Sequence, residues 1–208
     1  MAHSRRYEGL IRNPLARRCL SPVLLLAWGL PAGCHAAAAP GSGTPALSLA
    51  SSSLEAGNIP AKFTCDGAGT SPELKWAAVP SGTRSLALIV IDPDAPVGDF
   101  VHWILYNVPA ETRELPEGLP SQERLADGAF RGALLGALLG ALQGRNDFGS
   151  IGYGGPCPPG SSPHRYVFRL YALDARLSLP ARATRVQVEK AMGGHILAHG
   201  ELTGRYQR

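Results

Sequence analysis

The stretch Ser85 to Ile91 is continuous, apolar and β-branched at its end, and it follows the turn Pro80-Ser81-Gly82-Thr83. That pattern suits a strand buried on both faces, so the chain must supply cover above and below it. Phe100 to Val108 reads as a second such strand. Tyr166 to Leu173 is a third, with aromatics at Tyr166, Phe168 and Tyr171. Weaker strand signals are Ala46 to Ser51, Ala61 to Thr64, Glu73 to Ala77 and Leu202 to Tyr206. Only one segment reads clearly as a helix. Thr184 and Gln187 have capping-box spacing, and Val188, Met192 and Ile196 recur on one face, although Gly193-Gly194 weakens its second half. Strands do not alternate regularly with long helices, which argues against a parallel α/β fold and for a mainly β domain with peripheral helices.

The 208 residues fit one globular domain plus an extension. At the N-terminus, Arg5, Arg6, Arg12, Arg17 and Arg18 precede the apolar run Cys19 to Leu30, and small residues follow. That order is expected of an export signal with its cleavage region over residues 1–37. The competing reading is a transmembrane anchor, but a twelve-residue run interrupted by Pro22 falls short of the ~20 residues a spanning helix needs. No transmembrane helix is therefore expected. Ala36-Ala37-Ala38 suits a small-x-small cleavage site, whereas Ala32-Gly33-Cys34 resembles a lipoprotein box whose cysteine is lipidated. Pro31 counts against lipidation. The expected location is periplasmic or secreted, with a lipid anchor through Cys34 as the alternative. A tether follows over residues 38–45, and residues 46–208 form the domain.

Charge narrows the partners. Removing residues 1–34 takes five arginines and Glu8 from 20 basic and 16 acidic side chains, which leaves 15 of each. A net-neutral domain with no basic run has no field for nucleic acid. Of the four cysteines, the domain keeps Cys65 and Cys157, a candidate disulfide in an oxidising compartment or else two buried thiols.

Residues 132–144 repeat a Gly-Ala-Leu-Leu unit three times with one change. Thirteen residues cannot span a bilayer. A duplication tolerated in a surface loop is the simpler expectation, and a partner-binding or membrane-touching helix the sharper one.

Four short pieces hold the polar chemistry. Asp92 and Asp94 leave the Ser85 to Ile91 strand, with Pro93 and Pro96 forcing a rigid exit. His102 lies within an apolar strand, where alternation puts it with Ile104 and Tyr106, opposite Val101, Trp103 and Leu105. Tyr153 to Gly160 contains three glycines and three prolines, a stiff loop whose backbone N–H groups can face an anion. In His164-Arg165-Tyr166 the histidine and tyrosine share a face, while Arg165 points away, either free or braced against Asp92 or Asp94.

The order Asp-Pro-Asp-Ala-Pro, then His102 on a strand, then Tyr-Gly-Gly-Pro-Cys-Pro-Pro running into His-Arg-Tyr resembles the phosphatidylethanolamine-binding protein family, within it the bacterial Raf kinase inhibitor-like branch. Thr64-Cys65-Asp66-Gly67, Ser71 to Trp76, Asn107 to Ala110, Gly144 to Gly149 and Tyr171 to Asp174 agree with it. The resemblance runs from about Leu47 to the C-terminus, apart from the repeat. It implies a large antiparallel sheet packed with a smaller one, and a small pocket for phosphate-like anions or phospholipid head groups. Carried over residue by residue, that pocket comprises Asp92, Asp94, Pro96, His102, Gly155, Pro156, Cys157, Pro158, His164 and Tyr166.

A histidine beside an aspartate favours its protonated form, which would donate to an oxyanion while the carboxylate offsets the charge. No cofactor, metal or catalytic residue is expected. The alternatives are a hydrolase using Asp92, His102 and His164, with Cys157 as the nearest nucleophile if unbridged, and a regulator or inhibitor of an unidentified protein. His195 and His199 have i, i+4 spacing for one helix face, but the pattern lacks the glutamate of zinc proteases and reads as helix-end polarity.

Overall fold

The computed structural model describes residues 46–125 and 138–208. The expected export signal, Cys34, the tether and repeat residues 132–137 lie outside the described residues. The elements are β1 (Ser48–Ala50), a 3-10 turn (Ala61–Phe63), β2 (Leu74–Ala77), β3 (Ser85–Asp92), β4 (Phe100–Pro109), β5 (Glu114–Leu115), β6 (Leu142–Gln143), β7 (His164–Leu173), α1 (Arg185–Met192) and β8 (Ile196–Tyr206).

β3 is buried along all eight residues, as its unbroken apolar run requires. It sits at the centre of a five-stranded antiparallel sheet ordered β6-β4-β3-β7-β8. One face packs Leu86, Leu88 and Val90, with Trp103 and Phe168, into a core shared with Leu49, Trp76 and Leu115 of the smaller sheet, β1-β2-β5. On the other face Ala87, Ile89 and Ile91 join Ile104 and Tyr106 beneath Val188 and Met192 of α1 and Leu177 of the preceding loop. Each large aliphatic side chain buried this way contributes about 1.5–3 kcal/mol, so β3 anchors both layers.

β4 is not evenly pleated. Val90 pairs with Trp103 but Ile91 with Val101, so His102 is the extra residue of a β-bulge. Val101 therefore shares a core with Ile104 and Tyr106, where uniform alternation put it with Trp103 and Leu105. A second irregularity leaves Tyr106 and Asn107 opposite the single residue Ala87, and Asn107 takes φ 58°. Its side chain offsets the irregularity by bonding both backbone groups of Leu177, at 2.9 and 2.7 Å. Bulges bend and twist a strand, and the first of these re-aims His102 at the sheet's end.

Several weaker expectations change. Ala61 to Thr64 is a 3-10 turn, because the Phe63 N–H donates to Pro60 O and the Thr64 N–H and hydroxyl both donate to Ala61 O. α1 starts with the expected capping box but ends at Met192, and Gly194, at φ 80°, turns the chain into β8. Ile196 thus belongs to a strand, and His195 and His199 share no helix face. The end of the repeat is not loop. Leu138 and Ala141 are buried, and Leu142–Gln143 pairs with Tyr106 and Leu105 as an edge strand. Gly144 is required there, since a Cβ would meet Ala183 O at 2.4 Å.

Candidate functional site

A cavity of about 190 Å³ opens at the sheet end where β3 finishes and β4 and β7 begin. Asp92, His102, His164 and Tyr166 provide its polar surface, and Phe100 and Phe148 its aromatic wall. Pro96, Val97, Cys157 and the Pro158-Pro159 pair complete the rim.

The carboxylate and the two histidines are held by internal partners. Asp92 is buried; its Oδ1 accepts the Asp94 N–H at 2.8 Å and its Oδ2 accepts from His164 Nδ1 at 2.7 Å. His102 Nδ1 lies 2.7 Å from Gly154 O, and since a carbonyl can only accept, this nitrogen carries the hydrogen. Gly154 also donates its own N–H to His102 O at 2.8 Å, so the loop clamps the bulged residue from both sides. Neither histidine Nε2 has a hydrogen-bond partner among the described residues, and neither is sealed from the cavity.

Burial pushes the His102 pKa below its ordinary value, against the raising effects of the Gly154 carbonyl and the Asp92 and Asp147 carboxylates. The rings of Phe100, Phe148 and Tyr166 surround it edge to face, with centroids 5.4, 5.3 and 5.1 Å away. Tyr166 is fully enclosed and beside Asp92, yet its hydroxyl makes no hydrogen bond of acceptable geometry. Burial, reinforced by the Asp92 charge, raises its pKa well above the phenol range and keeps it a donor. Asp92 is the acceptor acting on this hydroxyl, which is itself closed off from solvent.

Not every expected residue reaches the cavity. Asp94 turns outward, where Arg165 holds it through Nε at 2.9 Å and Nη2 at 2.7 Å. Arg165 thus braces Asp94, not Asp92. Gly155 and Pro156 stand behind the wall because they pack on the 3-10 turn: a Cβ on Gly155 would meet Phe63 O at 3.0 Å, and Pro156 O accepts the Cys65 N–H. Cys65 and Cys157 form a disulfide with Cα atoms 5.4 Å apart, fixing the loop to that turn and removing Cys157 as a nucleophile. The expected backbone cradle is also altered, since the Gly154 N–H is spent on His102 O. Phe100 and Phe148 were not among the expected pocket residues. Phe148 lies in the Gly144 to Gly149 stretch that carries part of the family resemblance, whereas Phe100 is marked in the sequence only as the start of a strand.

Two expected outcomes arise here. Gly154→Ala would place a Cβ 2.6 Å from the Phe148 ring. Its crystal structure is expected to show Phe148 displaced and the His102 clamp loosened; an unmoved ring would contradict this packing. Asp94 has its pKa lowered to about 2, chiefly by the Arg165 side-chain hydrogen bond. Because the folded value is depressed, its contribution to stability is present above the unfolded pKa of ~3.9 and lost as pH falls through about 2. Denaturation of the native protein and Asp94→Asn is expected to differ at pH 6 and converge near pH 2. A difference that persists under acid would assign it to another cause.

With this geometry established, residues 50–207 match the family model described as phosphatidylethanolamine-binding protein. The chain belongs to that family. It is similar to the UPF0098 protein PH1269 of Pyrococcus horikoshii, 46% identical over 171 residues that cover 81% of each chain. A UPF0098 protein of Aquifex aeolicus is 45% identical over 152 residues, covering 72% of this chain and 81% of its own. Among solved structures, the phosphatidylethanolamine-binding protein homolog CT736 of Chlamydia trachomatis superposes with TM-score 0.66 at 39% identity, covering 79% of this chain and 99% of that one. Escherichia coli YbcL gives TM-score 0.66 at 33% identity, covering 78% and 98%. A ligand-binding role fits this membership, as do the two antiparallel sheets. No helix among the described residues is long and apolar enough to cross a membrane.

Proposed function

We propose that this family member is an exported binding protein whose cavity takes a small phosphate-like anion or phospholipid head group. The carrying observation is that His102 and His164 both line the cavity with each ring locked through Nδ1, which leaves each Nε2 to a ligand. At about 190 Å³ the cavity is smaller than the ~300–1,000 Å³ sites that enclose drug-sized ligands, which favours an ion-sized group. Family membership supports the choice of phosphate chemistry. Export is supported by the arginine-then-apolar order at residues 5–30 and by the disulfide, which suits an oxidising compartment. Binding without turnover is favoured because Cys157 is bridged and Asp92 has both oxygens engaged.

Calorimetric titration with phosphoethanolamine tests the reading. A fully ionised oxyanion needs donors, so His102 must be protonated to hold it, and burial makes that protonation harder. Affinity is expected to fall as pH rises from 5 to 8. A binding constant independent of pH would contradict it. Regulation of another exported protein would instead appear as a complex that survives replacement of both His102 and His164.

A further inference from the structure

The two ring nitrogens of His102 have different roles. Nδ1 is fixed as the donor to Gly154 O, so the nitrogen left to the cavity is Nε2, a bare lone pair whenever the ring is neutral. His164 repeats the polarity, with Nδ1 donating to Asp92 Oδ2 and Nε2 left over. Both Asp92 oxygens are already engaged, so that carboxylate has limited capacity to take a ligand proton. The cavity therefore faces a ligand with an acceptor at His102 Nε2.

We propose that the cavity selects an anion bearing its own acidic proton, a phosphomonoester in its hydrogen-phosphate form, over a phosphodiester or sulfate of similar size. This rests on the anion-pocket reading above. The monoester O–H donates to His102 Nε2, a contact that an anion without a proton cannot make. A diester or sulfate offers only acceptors, so it must force a proton onto His102 among the rings of Phe100, Phe148 and Tyr166. Burial there disfavours the charged ring; Asp92 from β3 and Asp147 from the loop after β6 favour it, and His164 from β7 opposes it. With desolvation the largest of these effects, an anion without a proton is the poorer match. A phosphomonoester loses its second proton near pH ~6, so the proton-bearing form is abundant at and below that pH. The same chemistry separates two sources of head group, since a free phosphomonoester qualifies and the phosphodiester of an intact phospholipid does not.

The test is competitive calorimetry at pH 6 with phosphoethanolamine, glycerophosphoethanolamine and sulfate on the native protein and His102→Gln. Phosphoethanolamine is expected to bind at least tenfold more tightly than either competitor, with that ratio falling below about threefold in His102→Gln because the amide supplies both a donor and an acceptor. A diester or sulfate bound as tightly as the monoester by the native protein overturns the inference while leaving an anion pocket intact. Failure of all three to bind removes the pocket reading together with it. The native ratios decide even if His102→Gln does not fold.

Discussion

His164→Ala is expected to weaken phosphoethanolamine binding about a hundredfold and to lower stability as well. The ring links two functions. Its Nδ1 occupies Asp92 Oδ2 at 2.7 Å, and its Nε2 is open to the cavity. Removing it deletes one contact to the ligand and leaves an uncompensated carboxylate oxygen beside the place an anion would occupy. A charge-assisted hydrogen bond is worth about 1.5–3 kcal/mol, roughly ten- to a hundredfold, and repulsion from Asp92 adds to it. Asp92→Asn in the same background is expected to recover part of the affinity by removing the repelling charge. Calorimetry decides the matter: affinity within about threefold of native would place the ligand elsewhere.

Replacing both Cys65 and Cys157 with serine is expected to lower stability by about 3–5 kcal/mol. The bridge spans 92 positions, and closing a loop of that order limits the unfolded chain by ~4–5 kcal/mol in the chain-entropy account. For a domain of this size the midpoint of thermal unfolding should fall by roughly 10 °C. The effect reaches the pocket because Cys157 is part of its rim, and the same loop presents Gly154 to His102. The loop has other ties to the 3-10 turn, including the Tyr153 hydroxyl on Phe63 O at 2.9 Å, so a folded but looser site is expected. A thermal midpoint shifted by less than about 2 °C would show that those ties alone hold the loop.

β3, β4 and β7 were legible because each is a long apolar run, and an interior strand must be apolar on both faces. The same runs carry Asp92, His102, His164 and Tyr166 at or near their ends, so four polar cavity residues could be named from local pattern. β5 and β6 were not legible, since two-residue strands have no periodicity, and the start of β8 was hidden because Ile196 continues the helical spacing of Val188 and Met192. The bulge at His102 depends on β3 pairing, which no property of β4 alone reveals. Asp92 and Asp94 looked equivalent two positions apart. Tertiary partners separate them, with His164 holding one inside and Arg165 holding the other out. Phe148 joins Phe100 and His102 only after the chain has folded back from the loop beyond β6.

The most direct measurement is a high-resolution crystal structure of the protein soaked with phosphoethanolamine. The phosphate group is expected within ~2.7–3.2 Å of Nε2 on both His102 and His164. A phosphate bound elsewhere, with both rings directed away from it, would contradict the account.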